Sequence, residues 1–312
     1  MSHPIPFSAA LDGFRLSVDA RHLSVHTVSD YWQTYKKFAA FLAGDPPFSE
    51  ISRTRILEFF ASQSSLSNKT LLNYHSNLSA LWAWAVAEHL AAENLLHLIP
   101  PPKPEKTEVV PLTEHEVKAL LGAVDRSRKY GRPGKRTADH ALPEALRNRA
   151  IILTLLDTGL RASELCNLLI YDAELRSPDK RISIRQGKGR KDRHIPISPR
   201  TAQAVWKYLS TRRDARLDDP LFATDSNNPI ERNNLGNMLA AAGARAGVQN
   251  VHPHRFRHTF AITFLRNGGD IYTLQAILGH ETLDMCRRYL AIAQVDLDRA
   301  HRRASPVDNW NL

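Results

Sequence analysis

Toward the carboxyl end, two histidines, an arginine and a tyrosine stand at set intervals. His254 and Arg257 form His-x-x-Arg, His280 closes Leu278-Gly279-His280, and Tyr289 follows nine positions later. A guanidinium grips phosphate oxygens through parallel N–H groups, an imidazole titrates near neutrality, and a phenol is a nucleophile once its proton is removed. Such a set could bind a phosphodiester, stabilise charge on its nonbridging oxygens and hold a covalent intermediate. Arg161, in Thr158-Gly-Leu-Arg-Ala-Ser-Glu-Leu165, offers a second guanidinium near a helix start, where backbone amides also face an anion. Lys188, in Gly187-Lys-Gly-Arg-Lys191, offers an ammonium on a glycine-flanked turn that could protonate a leaving oxygen.

Each group has a plainer alternative. Arg161 could pair with Glu164 or Asp157, Lys188 could be a solvent-facing turn lysine, and Tyr289 could be half-buried on an amphipathic helix. His252, His258 and His301 are read as no more than structural hydrogen-bonders.

The run His252-Pro-His-Arg-Phe-Arg-His-Thr-Phe-Ala261, then Leu278-Gly-His280, then Tyr289, resembles the signature of the tyrosine recombinase (phage integrase) family. The Arg161 segment resembles the family's first arginine motif, and Gly187 to Lys191 its lysine hairpin. All five stations occur in family order, which a single weak motif could not achieve. The resemblance implies a DNA recombinase whose tyrosine attacks the strand and becomes joined to its 3′ phosphate, with no cofactor and no metal. It assigns Arg161, Lys188, His254, Arg257, His280 and Tyr289 as catalytic, Tyr289 being the nucleophile and Lys188 the general acid, with Lys191 as the alternative acid. It further implies four protomers exchanging strands between two specific double-stranded DNA sites, as a homotetramer or with a related recombinase. The rival readings are a type IB topoisomerase and a DNA-binding protein without catalysis. Two departures stand out: Arg287-Arg288-Tyr289-Leu290-Ala291 is more basic than is common, and the basic segment Arg126 to Arg136 is longer; since many relatives carry a residue other than histidine at the second histidine station, His280 is expected to contribute less than His254.

Composition agrees with an anionic partner. The 312-residue chain carries a formal net charge of +10. Residues 1–105 hold 8 Lys and Arg against 9 Asp and Glu, whereas residues 106–312 hold 34 against 23, so the basic footprint belongs to the second part. Candidate DNA-contacting cations are Arg190, Lys191 and Arg193 of the hairpin, Lys135 and Arg136 of the basic segment, and Lys36, Lys37, Arg53 and Lys69 near the amino end. Two cysteines, Cys166 and Cys286, suit neither a disulfide scaffold nor a metal site. With no leader-like start and no long apolar run, the expectation is a cytoplasmic, nucleoid-associated protein.

The elements expected to position these groups are mainly helical, with a small β-hairpin, in two domains. Residues 1–99 would form a helical core-DNA-binding domain, 100–110 a proline-rich linker, 111–291 a mixed α+β catalytic domain, and 292–312 a tail exchanged between protomers. The two domains together would clamp the duplex. Val28, Tyr31, Trp32, Tyr35, Phe38, Ala39 and Leu42 mark one helix, started at Ser24 or Thr27 and stopped by Gly44-Asp-Pro-Pro47. A second, Ser52 to Ser62, is expected to bury Ile56, Leu57 and Phe60; a third, Ser67 to His89, carries Leu71, Tyr74, Leu78, Leu81, Trp82 and Ala85 on one stripe. Further on, Thr113-Glu-His-Glu116 has the form of a capping box, a buried helix should end at Gly159, and Ile182, Ile184, Ile195 and Ile197 alternate as in a hairpin. Later helices are expected to break at 243–247, 267–270 and 278–279.

Overall fold

A computed structural model describes residues 4–105, 110–125, 144–185, 192–293, 305 and 307. Lys188, Arg190, Lys191, Lys135 and Arg136 lie outside the described residues, as does nearly all of the tail after Ala293. The chain divides into two compact units, Met1–Thr107 and Glu108–Leu312, each with its own apolar core.

The first unit is built from α1 (Phe7–Ala20), α2 (Val25–Leu42), α3 (Arg53–Ser62) and α4 (Asn68–Ala87). Serine starts three of them. The Oγ atoms of Ser24, Ser52 and Ser67 accept from the backbone N–H groups of Thr27, Arg55 and Thr70, each satisfying a donor that the helix itself leaves unpaired. Helix α1, which the sequence reading did not mark, lays Phe7 and Phe14 against Tyr35, Phe38, Phe48 and Trp84. In α3 the buried residues are Ile56 and Phe59, while Leu57 is 43% exposed. The expected stripe was thus wrong at Leu57: edge-on packing of Phe59 against Phe38 and Phe41 sets the rotation of the helix, which three successive apolar candidates cannot specify by spacing alone. Replacing Ser24 by alanine should cost ~1 kcal/mol, seen as a lower urea midpoint in the fluorescence of the tryptophans in this unit.

The second unit opens with α5 (Glu114–Asp125), capped as expected: Thr113 N–H donates to Glu116 Oε2 at 2.7 Å and Glu116 N–H to Thr113 Oγ1 at 3.2 Å. Helix α6 (Ala145–Thr158) is the central rod, packed on by α5, α8 (Pro199–Leu209) and α10 (Pro253–Arg266). Short α7 (Ala162–Cys166) follows it. A three-stranded antiparallel sheet, β1 (Ala173–Glu174), β2 (Arg181–Ile184) and β3 (Arg193–Pro196), has β2 at its centre and faces Ile182, Ile184 and Ile195 to the core. Strand β1 was not expected, being too short to show periodicity.

Helix α9 (Arg232–Ala246) runs through Gly243, where a break was expected, and turns at Gly247. A Cβ at Gly243 would lie 2.7 Å from the Val248 carbonyl oxygen, so this glycine permits close packing of the chain after the helix instead of ending it. Helices α11 (Ile271–Leu278) and α12 (Asp284–Ala293) complete the unit and pack with α10 around Leu274, Leu278, Cys286 and Tyr289.

Candidate active site

Helix α6 ends at Gly159 and α11 at Gly279, both in the left-handed conformation, at φ of 61° and 62°. The last carbonyls of a helix carry partial negative charge and lack intrahelical donors. Arginines satisfy them here. Arg257, at 4% exposure, donates from Nη1 to Gly159 O at 2.8 Å and from Nη2 to Leu278 O at 2.9 Å. Arg161 donates to Leu278 O at 3.4 Å and Gly279 O at 3.2 Å, so the two guanidiniums meet on one carbonyl.

The plainer alternative for Arg161 is half right. Its Nη1 donates to Glu164 Oε1 at 2.9 Å, whereas Asp157 accepts from Ser198 N–H. The same carboxylate also takes the Arg161 N–H and, at 2.8 Å, Nη2 of Arg193. Burial works against the charge on Glu164, but Arg193 and Arg161 outweigh it and hold the carboxyl below its usual range. One carboxylate is therefore bound by two arginines, Arg161 and Arg193, with Arg257 feeling its charge nearby, a local excess of positive charge in a protected place that suits an anion. Arg161 keeps 31% of its side chain exposed, enough to reach one.

Arg193 was expected to contact DNA; in the DNA-free protein its side chain is drawn inward instead. Its side chain is 11% exposed, bound to Glu164 and to the Ile277 carbonyl, and its guanidinium lies beneath Gly279, where any Cβ would stand 2.9 Å from Nη1. Captured by a carboxylate and a helix-end carbonyl, it does not point at solvent. Of the other described cations proposed for DNA, Lys36, Lys37, Arg53 and Lys69 are exposed, with Lys37 over the Tyr74 ring.

His280 is buried, and its tautomer follows from its partners. Arg257 Nη2 can only donate, so His280 Nε2 accepts at 2.7 Å, and the proton sits on Nδ1, 3.1 Å from Cys286 Sγ. Desolvation, then the charges of Arg257, Arg161 and Arg193, push its pKa down to about 4 from 6.5. The unfolded chain therefore binds this proton first. The contribution of His280 to stability is complete above pH 6.5 and falls as the pH drops toward 4, by on the order of 3 kcal/mol. A thermal unfolding series across that range should show the loss in the wild type and a shallower slope in His280→Asn; His252, His254 and His258, lowered in the same direction, supply what remains.

Tyr289 is 6% exposed on α12 and stacks on His280 with ring centroids 6.4 Å apart. Its hydroxyl lies 2.9 Å from His258 Nδ1. The sequence reading gave His258 no role; only its i+4 spacing from His254 could have suggested that it shares that face. Burial raises the phenol's pKa, and the opposing effects of Arg257 and Arg161 do not overcome it. In the DNA-free protein the neighbouring charge thus does not favour the phenolate. His254 stands exposed on the first turn of α10, with its imidazole held below its usual range by desolvation and by Arg257, His252 and Arg161.

So arranged, Arg161, His254, Arg257, His258, His280 and Tyr289 form one cluster within one unit. No group of His, Cys, Asp and Glu among the described residues could hold a metal ion. The phage integrase family model matches residues 110–295, more than half of the chain. The chain belongs to the phage integrase family. It is 30% identical over 314 residues to the tyrosine recombinase XerA of Thermococcus kodakarensis, covering 99% of this chain and 98% of that protein. To the tyrosine recombinase XerC of Pelobacter propionicus it is 29% identical over 315 residues, covering 96% of each. It also shares its fold, at a TM-score of 0.69 and 22% identity, with the XerH site-specific recombinase bound to a palindromic difH substrate in a post-cleavage complex, covering 94% of this chain and 82% of that one. Its activity is accordingly that of a site-specific tyrosine recombinase, which breaks and rejoins DNA strands. No helix among the described residues is long and apolar enough to cross a membrane.

Proposed function

We propose that Tyr289 is the nucleophile of this recombinase and that Arg161 and Arg257 bind the phosphate it attacks. The observation that carries this reading is the meeting of both guanidiniums on the Leu278 carbonyl, beside the stacked pair His280 and Tyr289. Two planar cations held from behind by helix-end carbonyls can turn their remaining N–H groups toward nonbridging oxygens, where charge grows as phosphorus becomes five-coordinate. His254, exposed at the start of α10, is placed to donate to the same phosphate. His280 buttresses Arg257 and the phenol ring. Lys188, the expected general acid, would protonate the departing 5′ oxygen.

The 3′-phosphotyrosyl bond formed in this way keeps the energy of the broken linkage, so a 5′ hydroxyl of another strand can attack it and reseal without a nucleotide cofactor. Double-stranded DNA is the partner, consistent with relatives solved on recombination substrates. On two paired sites four protomers would act together, with the residues after 292 reaching a neighbour. The near-neutral first unit, residues 1–107, would bring Lys36, Lys37, Arg53 and Lys69 to the backbone.

The test is to incubate the protein with nicked suicide duplexes of random sequence, recover covalent adducts, digest them and locate the phosphate by mass spectrometry. Attachment of a DNA 3′ phosphate to Tyr289 is expected. Attachment at another residue, or through a 5′ phosphate, would overturn the assignment.

A further inference from the structure

The chemistry just described leaves the tyrosine's own proton without an acceptor. Among the described residues, only His258 brings a ring nitrogen within hydrogen-bond distance of Tyr289 Oη, with Nδ1 at 2.9 Å and ring centroids 5.6 Å apart. His280 is the obvious rival by position, yet it stacks on the phenol with 12° between planes, presenting its face and not a lone pair. Both of its nitrogens are also engaged, Nε2 by Arg257 and Nδ1 by Cys286. His254 lies one turn earlier on α10, its ring 6.3 Å from that of His258. The helix separates Arg257 and His258 by about 100° of rotation, so the first reaches down to the α6 and α11 carbonyls while the second faces α12.

We propose that His258 is a further catalytic residue of this recombinase, the base whose Nδ1 takes the Tyr289 hydroxyl proton as the phenol oxygen attacks phosphorus. The proposal rests on Tyr289 being the nucleophile. The O–H bond breaks as an N–H bond forms on His258, an oxygen lone pair makes the new P–O bond, and the P–O5′ bond breaks with its pair left on the 5′ oxygen. That oxygen takes a proton from the general acid, for which Lys188 is the expected source. On resealing the steps reverse, and His258 returns its proton to the departing phenolate.

The surroundings keep this ring neutral and therefore able to accept. On its own helix, desolvation together with the charges of His254, His252 and Arg257 lowers its affinity for a proton, and from α12 the group facing it is the Tyr289 phenol, itself raised by burial. A neutral base beside a phenol that burial keeps protonated is the arrangement proton transfer needs.

The experiment measures single-turnover adduct formation on a nicked suicide duplex that the wild-type protein has captured from a random-sequence pool. Rates are compared for wild type, His258→Ala and His258→Asn from about pH 6 to pH 10, the upper end being where a free phenol ionises unaided. Asparagine sets an amide oxygen near the place of Nδ1, so it keeps a hydrogen-bond acceptor but takes no proton. Both variants should be slower by about 100-fold near neutral pH, the deficit shrinking as the pH approaches 10, with gel-shift affinity for the duplex unchanged. A His258→Asn variant that cleaves at the wild-type rate would reduce His258 to holding the ring in place and defeat the proposal. So would an equal loss at every pH. If the wild type itself captures no duplex through Tyr289, the nucleophile assignment falls and this inference with it; capture by the wild type with undiminished variants removes the role of His258 alone.

Discussion

Tyr289→Phe should give a protein that folds and binds duplex DNA yet forms no covalent adduct and no recombinant product. The change removes one oxygen and leaves the ring stacked on His280 inside the α10–α12 core, so packing is retained. His258 loses its partner at 2.9 Å, but the buried hydroxyl that needed satisfying has gone too, so stability should move by no more than about 1 kcal/mol. Chemistry has no such compensation. The nucleophilic atom is absent. Denaturing gels of suicide-substrate reactions, read beside gel shifts and thermal unfolding, separate these outcomes. An adduct formed as fast as by the wild type would show that another residue attacks.

Arg257→Ala should combine the second largest loss of activity with a loss of stability. As a phosphate ligand whose hydrogen bonds strengthen as charge develops, the guanidinium is expected to be worth about 10²–10³-fold in cleavage rate. As a structural group it holds Gly159 O, Leu278 O and His280 Nε2 at 2.8, 2.9 and 2.7 Å, all buried; its removal strands Gly159 O and His280 Nε2 and leaves Leu278 O only the longer bond from Arg161, at a cost on the order of 3 kcal/mol. Arg257 remains protonated at neutral pH even though burial, reinforced by Arg161, lowers its pKa to about 10. Arg257→Lys should rescue little of either effect, because one compact ammonium cannot span two carbonyls and a phosphate as the planar fork does. Unfolding midpoints and single-turnover rates measured on the same preparations check both parts; a stable, slow variant would confine Arg257 to chemistry, and an unstable variant of normal rate would confine it to structure.

Much of this molecule is written locally in its residues, and the reason is that short-range physics decides those features. A serine ahead of an apolar stripe caps a helix wherever it occurs, as at Ser24, Ser52 and Ser67, and Thr113 with Glu116 closes its box within four residues. Alternation at Ile182, Ile184 and Ile195 needs only the pleat of a strand. The order of arginine, histidine and tyrosine stations likewise named the chemistry, since side-chain type limits what each group can do.

Tertiary packing decided which of several equal candidates each role went to. Nothing in the sequence around Arg193 marks it as drawn inward; Glu164 and the Ile277 carbonyl do so from 29 and 84 positions away. His258 reads as one more helical histidine until α12 brings a phenol to its Nδ1 from 31 positions on. Phe59, not Leu57, enters the core because the rings of Phe38 and Phe41 stand opposite it. In each case the local pattern allowed several side chains the same environment, and the choice depended on a partner brought near only when the helices packed. Sequence alone thus determined most of the helices, the hairpin and the kinds of groups available for phosphoryl transfer, though not α1 or β1. The folded unit determined their pairing, because hydrogen bonds and close packing act only over a few ångströms, whatever the separation along the chain.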